Sequence, residues 1–95
     1  MEFNTTEEII QDIAAGKLVI LLDDEDRENE GDLVCAAELI DDQKINFMIN
    51  KARGLVCLPL SPKKCDQLNL PMMTNNNRAK HGTGFTVSIE AAEGI

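Results

Sequence analysis

Apolar and polar positions alternate along the chain in segments that predict a succession of short elements. Thr5-Thr6-Glu7-Glu8 has the spacing of a capping box, in which Thr5 caps the helix and Glu8 reaches back. Ile9, Ile10, Ile13 and Ala14 then fall on one helical face, and Gly16 is suited to end the helix. Leu18–Leu22 is an unbroken apolar run of strand length, as expected of a strand buried on both faces. "DLVCAAEL", just after Gly31, predicts a second strand. Asp42 is placed to cap a further helix that carries Ile45, Met48, Ile49 and Ala52 on one face and ends at Gly54. "LVCLPL" predicts a third strand, and Ser61-Pro62 opens a brief helix with Cys65 and Leu68 inward. "NLPMMTNNNRAKHGTG" has no period and many turn formers, so a mobile loop is expected there. "FTVSIEA" alternates, which puts Phe85, Val87 and Ile89 on one face of a last strand.

This order predicts an α/β (mixed α+β) fold, a mixed sheet with helices packed on it. Residues 1–95 are read as a single domain. The chain stops at "AAEGI", directly after a predicted strand, where a covering helix or strand is expected. The expectation is therefore an incomplete portion of one larger domain.

Composition adds two points. With no Trp or Tyr and three Phe, the core must be aliphatic. The net charge is −8, and the ten residues from Asp23 to Asp32 contain seven carboxylates against one cation, Arg27. The acidity is thus local, which argues against nucleic acid or an anionic membrane as the main partner. Cys35, Cys57 and Cys65 form no CxxC pair, so no zinc or dithiol motif is signalled. Reduced thiols fit a cytoplasmic protein. The N-terminal stretch lacks a signal-like apolar run, and no segment is long enough to span a membrane.

Three readings of the acidic run compete. A solvated turn is the plainest, but seven acids between two apolar runs are more than a turn needs. An EF-hand register puts Asp26, Glu28 and Glu30 at positions 1, 3 and 5 and Gly31 at 6, but position 12 falls on Ala37, which cannot supply the bidentate carboxylate. A magnesium site fits better, because magnesium takes one or two carboxylates and keeps waters or substrate oxygens. The remaining acids are then free for proton transfer or hydroxyl binding.

The run "DDEDRENEGD" at 23–32 closely resembles the signature of the 3,4-dihydroxy-2-butanone 4-phosphate synthase family of riboflavin biosynthesis. The resemblance continues through "ARGLVCLPLS" at 52–61, "LNLPMM" at 68–73 and "HGTGFTVSIEAAEGI" at 81–95, in family order. It implies a lyase that converts ribulose 5-phosphate to 3,4-dihydroxy-2-butanone 4-phosphate and formate with Mg2+, with Mn2+ as the alternative. It implies Glu28 as metal ligand, and Arg27, Glu28 and Asp32 as substrate contacts. Asp23 matches an acid at the pocket edge and is read as a proton carrier, and Asp32 and Cys57 join it as catalytic candidates. An ordinary buried strand thiol is the plain alternative for Cys57. Thr83 and Thr86 are candidate pocket residues, although Thr is also a good strand former. Asp26 and Glu25 are read as solvated turn residues, His81 as loop or pocket rim, and Met72 and Met73 as packing.

The family's second half, with its "TTG" segment and an arginine-glycine-histidine-threonine-type motif, lies outside these 95 residues. The resemblance therefore implies the N-terminal portion of a synthase domain carrying half an active site, without turnover by itself. It also implies a homodimer and, in some relatives, a fused GTP cyclohydrolase II domain. The competing expectation is an inactive fragment, or an acidic module of the same ancestry that binds divalent cations or a partner.

Overall fold

The computed structural model describes residues 2–74 and 84–93. These fall into two compact units, Met1–Leu58 and Pro59–Ile95. The fold is mixed α/β, with a small open sheet and helices.

The first unit starts with helix α1, Thr6–Ala14. Its capping box is complete: Thr5 Oγ1 accepts the Glu8 N–H at 3.2 Å, and Glu8 Oε1 accepts the Thr5 N–H at 2.8 Å. Gly16 ends the helix at φ +81°, with its N–H on the Ile13 carbonyl and the Lys17 N–H on the Asp12 carbonyl. That pair of bonds is a Schellman motif, and it needs a left-handed residue where Gly16 stands. Of the expected apolar face, Ile9 and Ile13 turn inward while Ile10 and Ala14 are exposed.

Strands β1 (Val19–Leu22) and β2 (Gly31–Val34) pair antiparallel, with Val19 opposite Val34 and Leu22 opposite Gly31. α1 packs on β1, and Val19, 6% exposed, is the single buried apolar residue among those described. β1 is not buried on both faces as its composition predicts, since Ile20 is 65% exposed. Nor does β2 run on through "CAAEL". Its last pair is Val34 with Val19, where β1 begins, so the later residues have no ladder partner. Ala37–Leu39 instead forms a 3-10 turn that lays Leu39 against Gly16.

Helix α2, Asp42–Phe47, is capped one residue earlier than expected: Asp41 Oδ1 accepts the Lys44 N–H at 2.8 Å. The next turn, Met48–Ala52, widens to a π-helix closed by the Arg53 N–H on the Met48 carbonyl. Arg53 itself sits at φ +54°, ψ +121°, and Gly54 follows at φ +144°. The predicted strand "LVCLPL" is absent from the described residues. No neighbouring strand takes its backbone groups, and Leu55 is 84% exposed.

In the second unit, helix α3 (Pro62–Gln67) begins as the sequence predicts, with Ser61 Oγ accepting the Lys64 N–H and proline in the first turn. Cys65 is half-buried, but Leu68, expected inward, is exposed. Asn69 at φ +57° supplies the left-handed exit, with its N–H on Asp66 and the Leu70 N–H on Cys65. The predicted last strand is reduced to one antiparallel bridge, Met72 with Thr86, flanked by Met73 N–H to the Phe85 carbonyl and Val87 N–H to the Pro71 carbonyl. Thr86 is half-buried, whereas Phe85, Val87 and Ile89 are exposed, so the face expected to be apolar and covered is the open one. Most of the predicted mobile loop lies outside the described residues.

Candidate functional site

The acidic run forms the connection between β1 and β2. One backbone bond beyond the last paired residues, Asp23 N–H to the Glu30 carbonyl at 2.8 Å, extends the hairpin and closes its loop. Inside, the Asp24 carbonyl accepts the N–H groups of Arg27 (3.0 Å) and Asn29 (3.1 Å). Asp24 Oδ1 takes the Asp26 N–H at 3.3 Å, an Asx-type turn. Asn29 makes the return at φ +52°, a conformation that asparagine tolerates better than most side chains.

Asp23 is the hub of this loop. Its Oδ1 accepts the Asp24 N–H at 2.8 Å. Its Oδ2 accepts both the Arg27 guanidinium at 2.7 Å and the Glu28 N–H at 3.1 Å. The side chain is 20% exposed, so desolvation opposes its charge. The N–H groups of Glu28 and Asp24 and the Arg27 guanidinium outweigh that, and its carboxyl is held below the ordinary aspartate value. Arg27 bridges two acids, with Nη1 on Asp23 and Nη2 3.5 Å from Glu28 Oε1. The hydrogen bond to Asp23, then the charges of Asp23, Glu28 and Asp32, raise the Arg27 pKa above its usual value.

The structure therefore gathers Asp23, Arg27, Glu28 and Asp32 at one hairpin. Asp32 stands on β2 opposite Leu21. It borders a shallow cleft of about 330 Å³ lined by Ile20, Leu33 and Phe47, with Lys51 at its edge. Phe47 and Lys51 were not singled out by sequence, since neither belongs to a motif. Their helical spacing from Ile45 and Met48 carries no hint of which sheet face they meet.

The other candidates lie on other segments of the chain. Cys57 is a free, exposed thiol on segment 55–60, not the buried strand thiol of its plain reading. No hydrogen bond ties it to 23–32 among the described residues. Thr86 belongs to the second unit, where its hydroxyl donates to the Val87 carbonyl at 2.9 Å. Thr83 and His81 lie outside the described residues. No group of three His, Cys, Asp or Glu side chains is placed to hold a metal among the described residues.

Fold and loop together define a mixed α/β scaffold that presents a cation-attracting hairpin with an embedded arginine. A model of the 3,4-dihydroxy-2-butanone 4-phosphate synthase family matches residues 7–95. The chain belongs to that family. It is 58% identical over 95 residues to the 3,4-dihydroxy-2-butanone 4-phosphate synthase of Pseudomonas aeruginosa, an alignment that covers 100% of this chain and 26% of the relative. Among solved structures it is similar to RibBX, a two-domain 3,4-dihydroxy-2-butanone 4-phosphate synthase from A. baumannii. That TM-score is 0.80 at 63% identity, covering 97% of this chain and 27% of the other. It is also similar to a 3,4-dihydroxy-2-butanone 4-phosphate synthase in complex with two magnesium ions, with TM-score 0.87, 40% identity, and coverage of 96% and 42%. The chain thus spans about a quarter of the length of the curated relatives it matches.

Proposed function

We propose that the protein carrying these residues converts D-ribulose 5-phosphate to L-3,4-dihydroxy-2-butanone 4-phosphate and formate, a lyase step that supplies riboflavin synthesis. The observation that carries this reading is the hairpin loop in which Arg27 and Glu28 are held side by side on Asp23. The reaction is redox-neutral: the five carbons of the sugar are divided into four and one, and the other atoms are shared without an outside oxidant. Its demands are proton movement at adjacent carbons and stabilisation of enediolate charge.

Glu28, partly exposed at the loop surface, offers a carboxylate to Mg2+, with Mn2+ as the alternative. One carboxylate together with substrate oxygens is a donor set magnesium accepts. A bound divalent ion supplies charge stabilisation to neighbouring sugar oxygens. Arg27 uses two nitrogens within the loop, and its remaining N–H donors are the proposed contacts to a substrate oxyanion. The Asp32 carboxylate accepts no side-chain or loop hydrogen bond from the described residues, which leaves it available to a hydroxyl or an acidic C–H. Cys57 as a catalytic residue and Thr83 and Thr86 as substrate contacts are part of the same proposal, on other segments of the family signature.

The site is proposed to be completed by residues beyond these 95, within one domain and a homodimer. The A. baumannii relative is a two-domain synthase, which supports a parent with a further domain; a GTP cyclohydrolase II domain is the type proposed. No helix among the described residues is long and apolar enough to cross a membrane, in keeping with the proposed cytoplasmic setting.

The test is to incubate the full-length protein with D-ribulose 5-phosphate and measure formate, with Mg2+ and with EDTA. Metal-dependent formate is expected. No formate with either Mg2+ or Mn2+ overturns the reading.

A further inference from the structure

We infer that Asp23 is a positioning residue that sets Arg27 and Glu28 in place, and not the proton carrier that its place at the pocket edge suggests. The inference rests on the proposed function for its kinetic arm and on the loop geometry alone for its structural arm.

Both oxygens of Asp23 are committed within the loop. Oδ1 holds the Asp24 N–H at 2.8 Å, and Oδ2 holds the Arg27 guanidinium at 2.7 Å and the Glu28 N–H at 3.1 Å. A general base must offer a lone pair to the substrate at hydrogen-bond distance, and three donors leave little of this carboxylate to offer. The backbone of Asp23 is fixed as well, since its N–H closes the hairpin on Glu30. From that fixed point one oxygen spans to residue i+4 by its side chain and to residue i+5 by its backbone. The proposed substrate-binding arginine and the proposed metal ligand therefore take their relative position from one atom. The carboxylate of Asp32, across the hairpin, accepts no hydrogen bond from the described residues and so keeps its lone pairs for proton transfer.

Reach and charge separate the two roles. Asp23→Asn keeps the side-chain length and one oxygen, which can stay on Arg27 and Glu28, but it cannot take up a proton. Asp23→Glu remains a carboxylate, but its extra methylene moves the oxygens off both partners.

The experiment compares both variants in the full-length protein for kcat and KM with D-ribulose 5-phosphate. The Glu28 amide and Arg27 guanidinium NMR signals are followed in the same full-length proteins. For a positioning residue, Asp23→Asn keeps kcat within about tenfold, raises KM, and keeps the Glu28 signal near its wild-type shift. Asp23→Glu then loses more on every count. A proton carrier gives the reverse order, with Asp23→Asn losing the roughly 10²–10⁴-fold typical of acid–base catalysis while Asp23→Glu retains more. That order overturns the inference, as does an inactive Asp23→Asn whose Glu28 and Arg27 signals are unmoved. If both variants are inactive and both lose the signals, the positioning role stands. If wild-type protein makes no formate, the functional reading fails, and the NMR arm still decides what Asp23 holds.

Discussion

Lys17 returns to Asp12 twice: its N–H donates to the Asp12 carbonyl at 2.9 Å, and its ammonium lies 3.7 Å from the Asp12 carboxylate. Both contacts depend on the left-handed turn at Gly16, φ +81°. A Cβ at Gly16 would stand 3.3 Å from Leu39 Cβ, an atom that cannot swing aside. Gly16→Ala is therefore expected to destabilise by about 1–2 kcal/mol, the cost of a left-handed L-residue, with the crowding added. Gly31→Ala is the contrast. A Cβ there meets the end of the exposed Leu22 side chain at 3.0 Å, which is free to move, and φ is not positive. Urea unfolding of both variants should show a clear loss for the first and a change near zero for the second.

Arg53 lies at φ +54°, ψ +121°, directly after a π-helical turn. Strain of this kind costs on the order of 1–3 kcal/mol at a non-glycine residue. Arg53→Gly removes the strain but gives the unfolded chain more freedom, worth roughly 0.5–1 kcal/mol. The net expectation is a higher Tm for Arg53→Gly. An unchanged or lower Tm would mean that the Arg53 side chain, whose Nε lies 3.5 Å from the Asn50 carbonyl, repays the strain.

Two helix caps contribute, beside Asp23, to the acid limb of stability. The Thr5 N–H and then its hydroxyl lower the Glu8 pKa below 4.5, and the Lys44 N–H and then its ammonium lower that of Asp41 below 3.8. Because the folded values are depressed, these contributions are complete above the unfolded values and are lost as pH falls through the folded ones. Stability should be flat from pH 7 to about 5 with respect to these groups and should decline below about 4. Thr5→Ala removes the hydroxyl half of the box and is expected to cost about 1 kcal/mol. It should also weaken the Glu8 share of the acid limb, which a pH series of thermal melts would show.

Much of the local structure was legible in the residues. Thr5 with Glu8, Ser61 with Pro62, and Gly16 each act through neighbours a few positions away, so spacing alone locates them. The strands were harder. "CAAEL" has strand composition, but its ladder stops when β1 runs out at Val19. "LVCLPL" is as apolar as β1 and yet pairs with nothing among the described residues. Pairing is decided by partners far along the chain, which composition does not name. At the site, the charge pattern located the loop, and the family resemblance named Arg27, Glu28 and Asp32. The positioning role proposed for Asp23 rests on the three donors on its two oxygens, which residue spacing does not show.

A related expectation concerns the 95-residue chain by itself. It should release no formate from ribulose 5-phosphate, since the chain spans about a quarter of its curated relatives and the proposed site is completed by residues beyond these 95. Metal-dependent turnover above background by this chain would show that the loop and its neighbours suffice.

In the proposed reaction, the hairpin 23–32 supplies the carboxylate that makes turnover metal-dependent. Glu28→Gln in the full-length protein tests it most directly, with formate release from D-ribulose 5-phosphate measured across a Mg2+ titration. Turnover should fall by at least about a hundredfold, in the range seen when a charge-stabilising group is removed from an active site. The Asp23–Arg27 pair should stay in place. Formate release by Glu28→Gln at the wild-type rate and the wild-type Mg2+ requirement would contradict the claim.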